Sequence, residues 1–247
     1  MSLPAGTEGF RIHLTLERIK SEKKTFGTIF MTSNALRPLA LKYLEPLSRA
    51  AADAGISPNA VSALSLVFAA LSGLLFYYSG SDPESGPLLV LAAGLLVALN
   101  SLLDAMDGVM ARYLGVSSLK GDFLDHVIDR YADSFIICGI FFGGHAQWQI
   151  GVMTIVGVLI TSYLGTQAQA LNLGRYYGGI IGRADRLILI MLATLVYAIY
   201  PAQVYGMSSL GWIILIIGVG SHITAFQRIF HIWKQLNMPS GDAGQKD

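Results

Sequence analysis

The sequence is poor in cysteine and in charge. Among 247 residues there is one cysteine, Cys138, so no disulfide can form within the chain. We interpret Cys138, which lies in an apolar run, as a small core residue. Only 13% of the residues are charged, about half the share in soluble domains. With 53% hydrophobic residues and a mean hydropathy of +0.54, the composition excludes a soluble globular enzyme and indicates a polytopic membrane protein.

The N-terminal region lacks the order of a secretory signal peptide, in which an apolar stretch follows basic residues, and we expect none. Residues 1–33 form a polar extension without an assigned role. At 34–55, leucines alternate with charged residues and with Pro38 and Pro46, which predicts a bent amphipathic helix lying in the membrane interface. An ordinary packed helix is the alternative. The polar tail at 236–247 is predicted to be disordered.

Six segments are long and apolar enough to cross a membrane. They lie at 60–79, 87–110, 123–143, 150–171, 187–205 and 210–232. We therefore predict an all-α fold of six transmembrane helices, preceded by the interfacial helix.

The distribution of basic residues predicts how these segments are oriented. The connections at 79–87, 143–149 and 201–209 contain no lysine or arginine, and all 17 basic residues fall on the other side of a six-span arrangement. Because cytoplasmic loops carry the excess of Lys and Arg, we expect both termini in the cytoplasm. The expected location is the cell (plasma) membrane.

Four aspartates interrupt the apolar pattern of the second and third segments. Asp104 and Asp107 share one helical face, and Asp125 and Asp129 share another. A carboxylate at membrane depth is costly and rare without a function, and four of them would repel one another without a counter-charge. Hard oxygen ligands favour Mg2+, Mn2+ or Ca2+, and four acidic groups suit two ions beside a phosphate-bearing substrate. We expect the two helices to pack antiparallel, so that all four carboxylates converge at the cytoplasmic end.

Small residues accompany the aspartates. Gly108, Ala111 and Gly121 leave room for a ligand close to the backbone, and Arg112 is suited to bind a phosphate or a pyrimidine carbonyl. Taken singly, each residue has a structural explanation, as a packing glycine, a membrane anchor or an aspartate that joins helices. Among function classes, a cation transporter is the main alternative, but it predicts acidic residues along several spans rather than at one end. A membrane phosphatase is the other alternative.

The full pattern, Asp-x2-Asp-Gly-x2-Ala-Arg-x8-Gly-x3-Asp-x3-Asp, resembles the signature of the CDP-alcohol phosphotransferases (CDP-alcohol phosphatidyltransferases). All eight specified positions match over 26 residues, and Pro58-Asn59 before the first span also fits the family. The resemblance covers roughly residues 35–235 and implies a six-span transferase domain at 56–235. It implies a homodimer, and no nucleic-acid partner is expected.

The resemblance also implies an activity and a role for each motif residue. Such enzymes displace CMP from a CDP-linked lipid with the hydroxyl of an acceptor alcohol, in phospholipid synthesis. Two Mg2+ or Mn2+ ions are then held by Asp104, Asp107, Asp125 and Asp129, mainly by the first three, and Asp129 is also the general base. The residues that would line the cytidine pocket are Gly108, Ala111, Arg112 and Gly121.

The connection at 162–190 bears on the acceptor. Arg183 and Arg186 are suited to clamp an alcohol that already carries phosphate, although topology anchoring is the simpler explanation. Together with Arg130, the segment resembles the branch that makes phosphatidylinositol phosphate or archaetidylinositol phosphate, which implies inositol phosphate as acceptor. That branch has a basic pair after a Ser-Tyr start, where this sequence has Leu-Gly-Thr-Gln at 164–167. Glycerol phosphate, or less favourably serine, therefore remains the alternative acceptor.

Overall fold

The computed structural model describes residues 32–81, 84–116, 118–174, 176 and 178–237, with side chains from residue 43 onward. Most of these residues lie in seven α-helices, and within them the only β-type pairing is an isolated bridge between Val204 and Met207. The helices are α1 Thr32–Asp53, α2 Pro58–Ser79, α3 Gly86–Tyr113, α4 Leu119–Phe142, α5 Trp148–Ala170, α6 Arg183–Ile199 and α7 Ser209–Leu236. The predicted all-α class is confirmed.

Local sequence signals explain where several helices begin and end. The side chains of Ser57, Ser118 and Ser208 cap α2, α4 and α7 respectively, because each accepts a hydrogen bond from a backbone N–H of the first turn of its helix. Helix α6 ends at Ile199 because the residue before Pro201 is driven out of the helical conformation. The predicted fifth span, 187–205, is therefore wrong at its end.

By length and hydropathy alone, four of the described helices could cross a membrane, namely α2, α3, α5 and α7. The other two predicted spans correspond to α4 and α6. Helix α4 carries charged residues along its first half, and α6 has 17 residues, slightly fewer than the ~20 that usually span the hydrocarbon core.

Helix α2 lies between the two aspartate-bearing helices. It packs closely against both α3 and α4, whereas α3 and α4 make only slight contact with each other. At the α2–α4 crossing neither Gly73 nor Gly139 has room for a side chain, because each lies against backbone of the other helix; small residues allow such close approach. The expectation that α3 and α4 pack against each other is wrong, and the carboxylates converge around α2 instead.

Helix α1 packs on the end of α3. Leu44 and Ala52 join a small buried cluster with Met106 and Met110, and the Tyr113 hydroxyl donates a hydrogen bond to Asp53 at 3.1 Å. Part of α1 therefore packs against α3 of the same chain. Of the predicted N-terminal extension and C-terminal tail, residues 1–31 and 238–247 lie outside the described part of the chain.

At the opposite end of the bundle, a buried histidine joins three connections. His145 is 3% exposed; its Nε2 lies 2.7 Å from Ser79 Oγ at the end of α2, and its Nδ1 lies 3.2 Å from Ser208 Oγ before α7. The ring also packs edge-on against Tyr197 of α6. Because this site is shielded from water, burial lowers the pKa of His145 to about 4.

Candidate active site

Three of the four motif aspartates converge. Asp104 and Asp107 project from α3 and Asp125 projects from α4, and each offers a carboxylate oxygen within 4.8 Å of the others. The grouping arises where α3 ends and α4 begins, since the three-residue spacing on α3 keeps two carboxylates on one face. We call Asp104, Asp107 and Asp125 the carboxylate triad.

Helix α2 orients one member of the triad. The Ser62 hydroxyl donates a short hydrogen bond to Oδ2 of Asp107, and both side chains are buried. A hydrogen bond of this kind holds a metal-ligating carboxylate in place and leaves its other oxygen for the ion.

The triad fits a hard divalent cation. Its ligand atoms are all carboxylate oxygens, which Mg2+ and Mn2+ prefer. Oδ1 of Asp104 is buried and has no hydrogen-bond partner in the described residues, and a buried acceptor of this kind requires an explanation such as an ion. The triad could therefore hold a divalent metal.

The fourth motif aspartate lies beside the triad but is not part of it. Asp129 is buried one turn further along α4. Its Oδ1 lies 2.8 Å from Arg183 Nη1, and its Oδ2 accepts a hydrogen bond from Arg130 at 3.1 Å. Its immediate partners are thus two cations of the protein, and its predicted metal-ligand role stays a prediction.

One side of the triad opens into a cavity of about 400 Å³, which we call the motif cavity. All four residues predicted to form a nucleotide pocket line it, namely Gly108, Ala111, Arg112 and Gly121. It is further lined by Ser57, Pro58 and Asn59 at the start of α2, by Ser62, Asp107, Val116, Ser118, Asp122 and Asp125. The structure thus brings the small residues of the motif and its one arginine into a single space beside two triad carboxylates.

A second cavity, of about 190 Å³, lies beyond Asp129, and we call it the basic cavity. Among the residues that the structure describes, its charged lining consists of four arginines and two aspartates, namely Arg130, Arg183, Arg186, Arg228, Asp129 and Asp133. The three arginines predicted to bind the acceptor are thus together here. The field of the cavity favours an anion.

Arg228 is the functional candidate that the sequence analysis missed. In the sequence it is one of the 17 basic residues whose distribution predicts the orientation of the chain in the membrane. A usable signal was present, because Arg228 lies inside the apolar segment 210–232, and a charged residue within a span is by default a functional candidate.

Ion pairs connect the triad to the basic cavity. Arg183 Nη1 lies 2.5 Å from Asp104 Oδ2 and its Nε lies 3.6 Å from Asp133 Oδ1, while Arg186 pairs with Asp133 at 2.7 Å. Within the described residues, Arg183 Nη2 and Arg186 Nε are buried without a hydrogen-bond acceptor. These donors are suited to receive anionic oxygens, which bind guanidinium groups strongly.

The chain is similar to known proteins along most of its length. The chain is 32% identical over 203 residues to the archaetidylinositol phosphate synthase of Pyrococcus horikoshii, covering 82% of this chain and 97% of the relative. It is 28% identical to the phosphatidylinositol phosphate synthase of Streptomyces avermitilis, covering 88% of each.

Solved structures of the Mycobacterium tuberculosis phosphatidylinositol phosphate synthase share the fold. Its form with CDP-DAG bound superposes with a TM-score of 0.65 at 24% identity, covering 83% of this chain and 99% of that one. Its complex with manganese and citrate gives 0.64 at 25% identity, covering 83% and 93%. The family model for CDP-alcohol phosphatidyltransferase matches residues 55–232. The chain therefore belongs to the CDP-alcohol phosphatidyltransferase family and is a membrane transferase of phospholipid synthesis.

Proposed function

We propose that this protein transfers the phosphatidyl-type group of a CDP-linked lipid to inositol phosphate, with release of CMP. The basic cavity supports this choice of acceptor, because the described part of its lining contains four arginines and two aspartates. Such a cavity favours an alcohol that already bears phosphate. Serine brings its own ammonium group and needs less positive charge. The names of the relatives, archaetidylinositol phosphate synthase and phosphatidylinositol phosphate synthase, support the same acceptor.

The structure offers a substitute for the basic pair that the sequence lacks at 164–167. Arg228 reaches this position from α7, and its Nη1 would lie 2.8 Å from a Cβ placed on Gly165. In our proposal Arg228 supplies positive charge at this side of the basic cavity, and this supports inositol phosphate as the first candidate although the basic pair is absent. Glycerol phosphate remains the second candidate, since it is also a phosphate-bearing alcohol.

We assign each group of residues a part in the reaction. The triad, Asp104, Asp107 and Asp125, would hold Mg2+ or Mn2+, two ions in our proposal, which supply counter-charge for the diphosphate and for the departing CMP. The motif cavity would take the cytidine end of the donor. Arg183 and Arg186 would orient the acceptor phosphate. In this proposal the two substrates would lie on either side of Asp129.

Asp129 would act as general base. It accepts the proton of the acceptor hydroxyl as that oxygen forms a bond to the phosphorus on the lipid side of the diphosphate. The bond between this phosphorus and the CMP oxygen breaks at the same centre. Asp129 does not line the motif cavity but does line the basic cavity, which is the side from which an acceptor hydroxyl would approach. Arg183 and Arg130 hold its two oxygens and thereby fix its direction.

We further propose that six helices cross the cell membrane. These are α2, α3, α5 and α7, which are long and apolar enough, together with α4 and α6. Helix α1 would lie in the membrane interface. The termini and both cavities would then face the cytoplasm, in keeping with the distribution of Lys and Arg. Water-soluble CMP could leave while the lipid stays in the bilayer. A homodimer is expected from the family resemblance, and light scattering of the protein in detergent tests it.

An acceptor panel tests this proposal. Protein purified in detergent receives Mg2+ or Mn2+, a CDP-linked lipid in ester or ether form, and one alcohol: inositol phosphate, glycerol phosphate, serine, unphosphorylated inositol, or none. We expect CMP release that requires inositol phosphate and is absent with inositol. Preference for glycerol phosphate would overturn the acceptor assignment, and equal release without any alcohol would indicate a phosphatase.

A further inference from the structure

The connection between α5 and α6 is fastened onto α7 through residues 178–182, which we call the strap. The backbone N–H groups of Ile180 and Ile181 both donate to Oγ1 of Thr224, at 3.1 and 3.2 Å. One turn further along α7, Arg228 Nε donates to the carbonyl oxygen of Gly178 at 2.9 Å. Two side chains of α7 thus hold three backbone groups of the strap.

Glycines on three different elements make room for this contact. Gly179 in the strap has a φ of +143°, which favours glycine, and a side chain there would collide with Thr224. Gly220 on α7 faces the Ile181 side chain, which is 2% exposed. Gly165 on α5 faces Arg228, as described above. A Cβ at any of the three positions would collide with its neighbour. The strap is therefore closely packed against α7 and α5.

The fastened strap leads directly into the site. Arg228 also donates from Nη1 to the carbonyl oxygen of Thr161 at 2.7 Å, which ties the strap to α5 as well. Only Gly182 separates Ile181 from Arg183, and the Gly182 N–H donates to Asp185 at 2.9 Å, closing the first turn of α6. The position of the strap on α7 therefore determines where α6 begins, and with it the position of the Arg183 side chain.

We propose that Thr224 and Arg228 are positioning residues, which seat the strap so that Arg183 stays between Asp104 and Asp129. This inference rests on the proposed function for the roles of those two aspartates. When the strap is unseated, Arg183 no longer holds the carboxylate that takes the proton, so turnover falls. The motif cavity contains no strap residue, so binding of the CDP-lipid is unaffected.

Thr224→Val is the main test, because it removes the hydroxyl but keeps the branched shape. Thr224 is fully buried and lines neither cavity. We expect kcat to fall about 10- to 100-fold, the scale of a small misplacement of reacting groups, with KM for the CDP-lipid unchanged and with activity restored by Thr224→Ser. The matched control is Thr154→Val. Thr154 is equally buried and joins α5 to α7 through a bond to Ile214 O, away from the strap, so we expect its kcat to stay at the wild-type value.

A double-mutant cycle separates positioning from general loss of structure. If Thr224 acts through Arg183, then Thr224→Val costs much less turnover in an Arg183→Gln background than in the wild type. Additive losses would overturn the inference, as would wild-type kcat in Thr224→Val.

Hydrogen exchange at the amides of Ile180 and Ile181 gives a readout that does not depend on the acceptor. We expect it to be faster in Thr224→Val than in Thr154→Val, and equal exchange in the two variants would contradict the strap. The kinetic arm uses whichever alcohol supports CMP release by the wild type. Failure of inositol phosphate would therefore count against the proposed function alone, whereas faster exchange without loss of kcat would count against the positioning role alone.

Discussion

Arg183 Nη1 lies 2.5 Å from Oδ2 of Asp104, although the two residues are 79 positions apart in the sequence. The same guanidinium group lies 2.8 Å from Asp129, so the first residue of α6 joins a triad carboxylate to the proposed base. Buried ion pairs contribute little net stability, because desolvation of both charges offsets their attraction. Their value here is positional: they fix the directions of two carboxylates and supply part of the counter-charge that the acidic cluster needs.

Asp129→Asn tests the proposed general base. The amide keeps the shape but cannot accept the hydroxyl proton, so we expect the rate of CMP release to fall about 10²- to 10⁴-fold. Calorimetric titration should find binding of the CDP-lipid largely intact, because Asp129 does not line the motif cavity. Asp53→Asn is the control for the chemical change, since Asp53 bonds to Tyr113 outside both cavities. A rate near that of the wild type in Asp129→Asn would refute the assignment.

Ser62→Ala tests whether α2 orients the triad. Without the hydroxyl, Asp107 loses its hydrogen bond from α2, and we expect about 10- to 100-fold weaker binding of Mn2+. The binding is followed by electron paramagnetic resonance of free Mn2+, independently of turnover. Ser72→Ala is matched to it, because Ser72 is also buried on α2 but donates to Ala93 O. Equal Mn2+ affinity in both variants would contradict the orienting role of Ser62.

The parts of the site that the sequence predicted are those encoded locally. Spacings of three and four residues on single helices predicted the paired aspartates, and the triad together with the motif cavity is consistent with them. Spacing within a single helix could not predict that α2 packs between α3 and α4. This packing depends on contact between Gly73 of α2 and Gly139 of α4, which lie on different helices. Arg183 supplies counter-charge to Asp104 and Asp129, and the spacing of the aspartates does not reveal this contact either. No periodic pattern in the sequence predicts contacts between distant segments. The contact of Arg228 with the strap is one example.

Gly108→Ala separates fold from binding within one variant. A Cβ on Gly108 would lie 3.6 Å from Arg112 Nη1 and, apart from its neighbours and the backbone of its own helix, would meet no other described heavy atom within 4 Å, so α3 accommodates it. Alanine in place of glycine in a helix stabilises by up to about 1 kcal/mol, and we expect an unchanged or higher melting temperature in detergent. The added methyl enters the motif cavity, so KM for the CDP-lipid should rise. A stable variant with unchanged KM would exclude close approach of the donor at this position.

The cluster around His145 predicts how stability depends on pH. Nε2 of His145 lies 2.7 Å from Ser79 Oγ, which donates to Phe76 O at 2.7 Å, and Nδ1 lies 3.2 Å from Ser208 Oγ. A neutral ring with its proton on Nε2 can donate to Ser79 and accept from Ser208. The folded protein thus favours the neutral ring. Burial lowers the pKa of His145 from 6.5 to about 4, and a group with a lowered folded pKa stabilises the fold above its unfolded pKa. This contribution is lost as the pH falls from about 6.5 to about 4.

Thermal unfolding in detergent between pH 7.5 and pH 4 measures this contribution. At about 1.4 kcal/mol for each pKa unit, the loss across the window is on the order of 3 kcal/mol. His145→Gln should melt at a lower temperature than the wild type at pH 7.5, because the bonds to Ser79 and Ser208 are disturbed. It should also lose less stability on acidification, since it lacks the titrating ring, so the two melting curves approach each other near pH 4. A constant difference between the two proteins at all pH values would mean that His145 is not held neutral, and that its contacts with Ser79 and Ser208 stabilise the fold without coupling to protons.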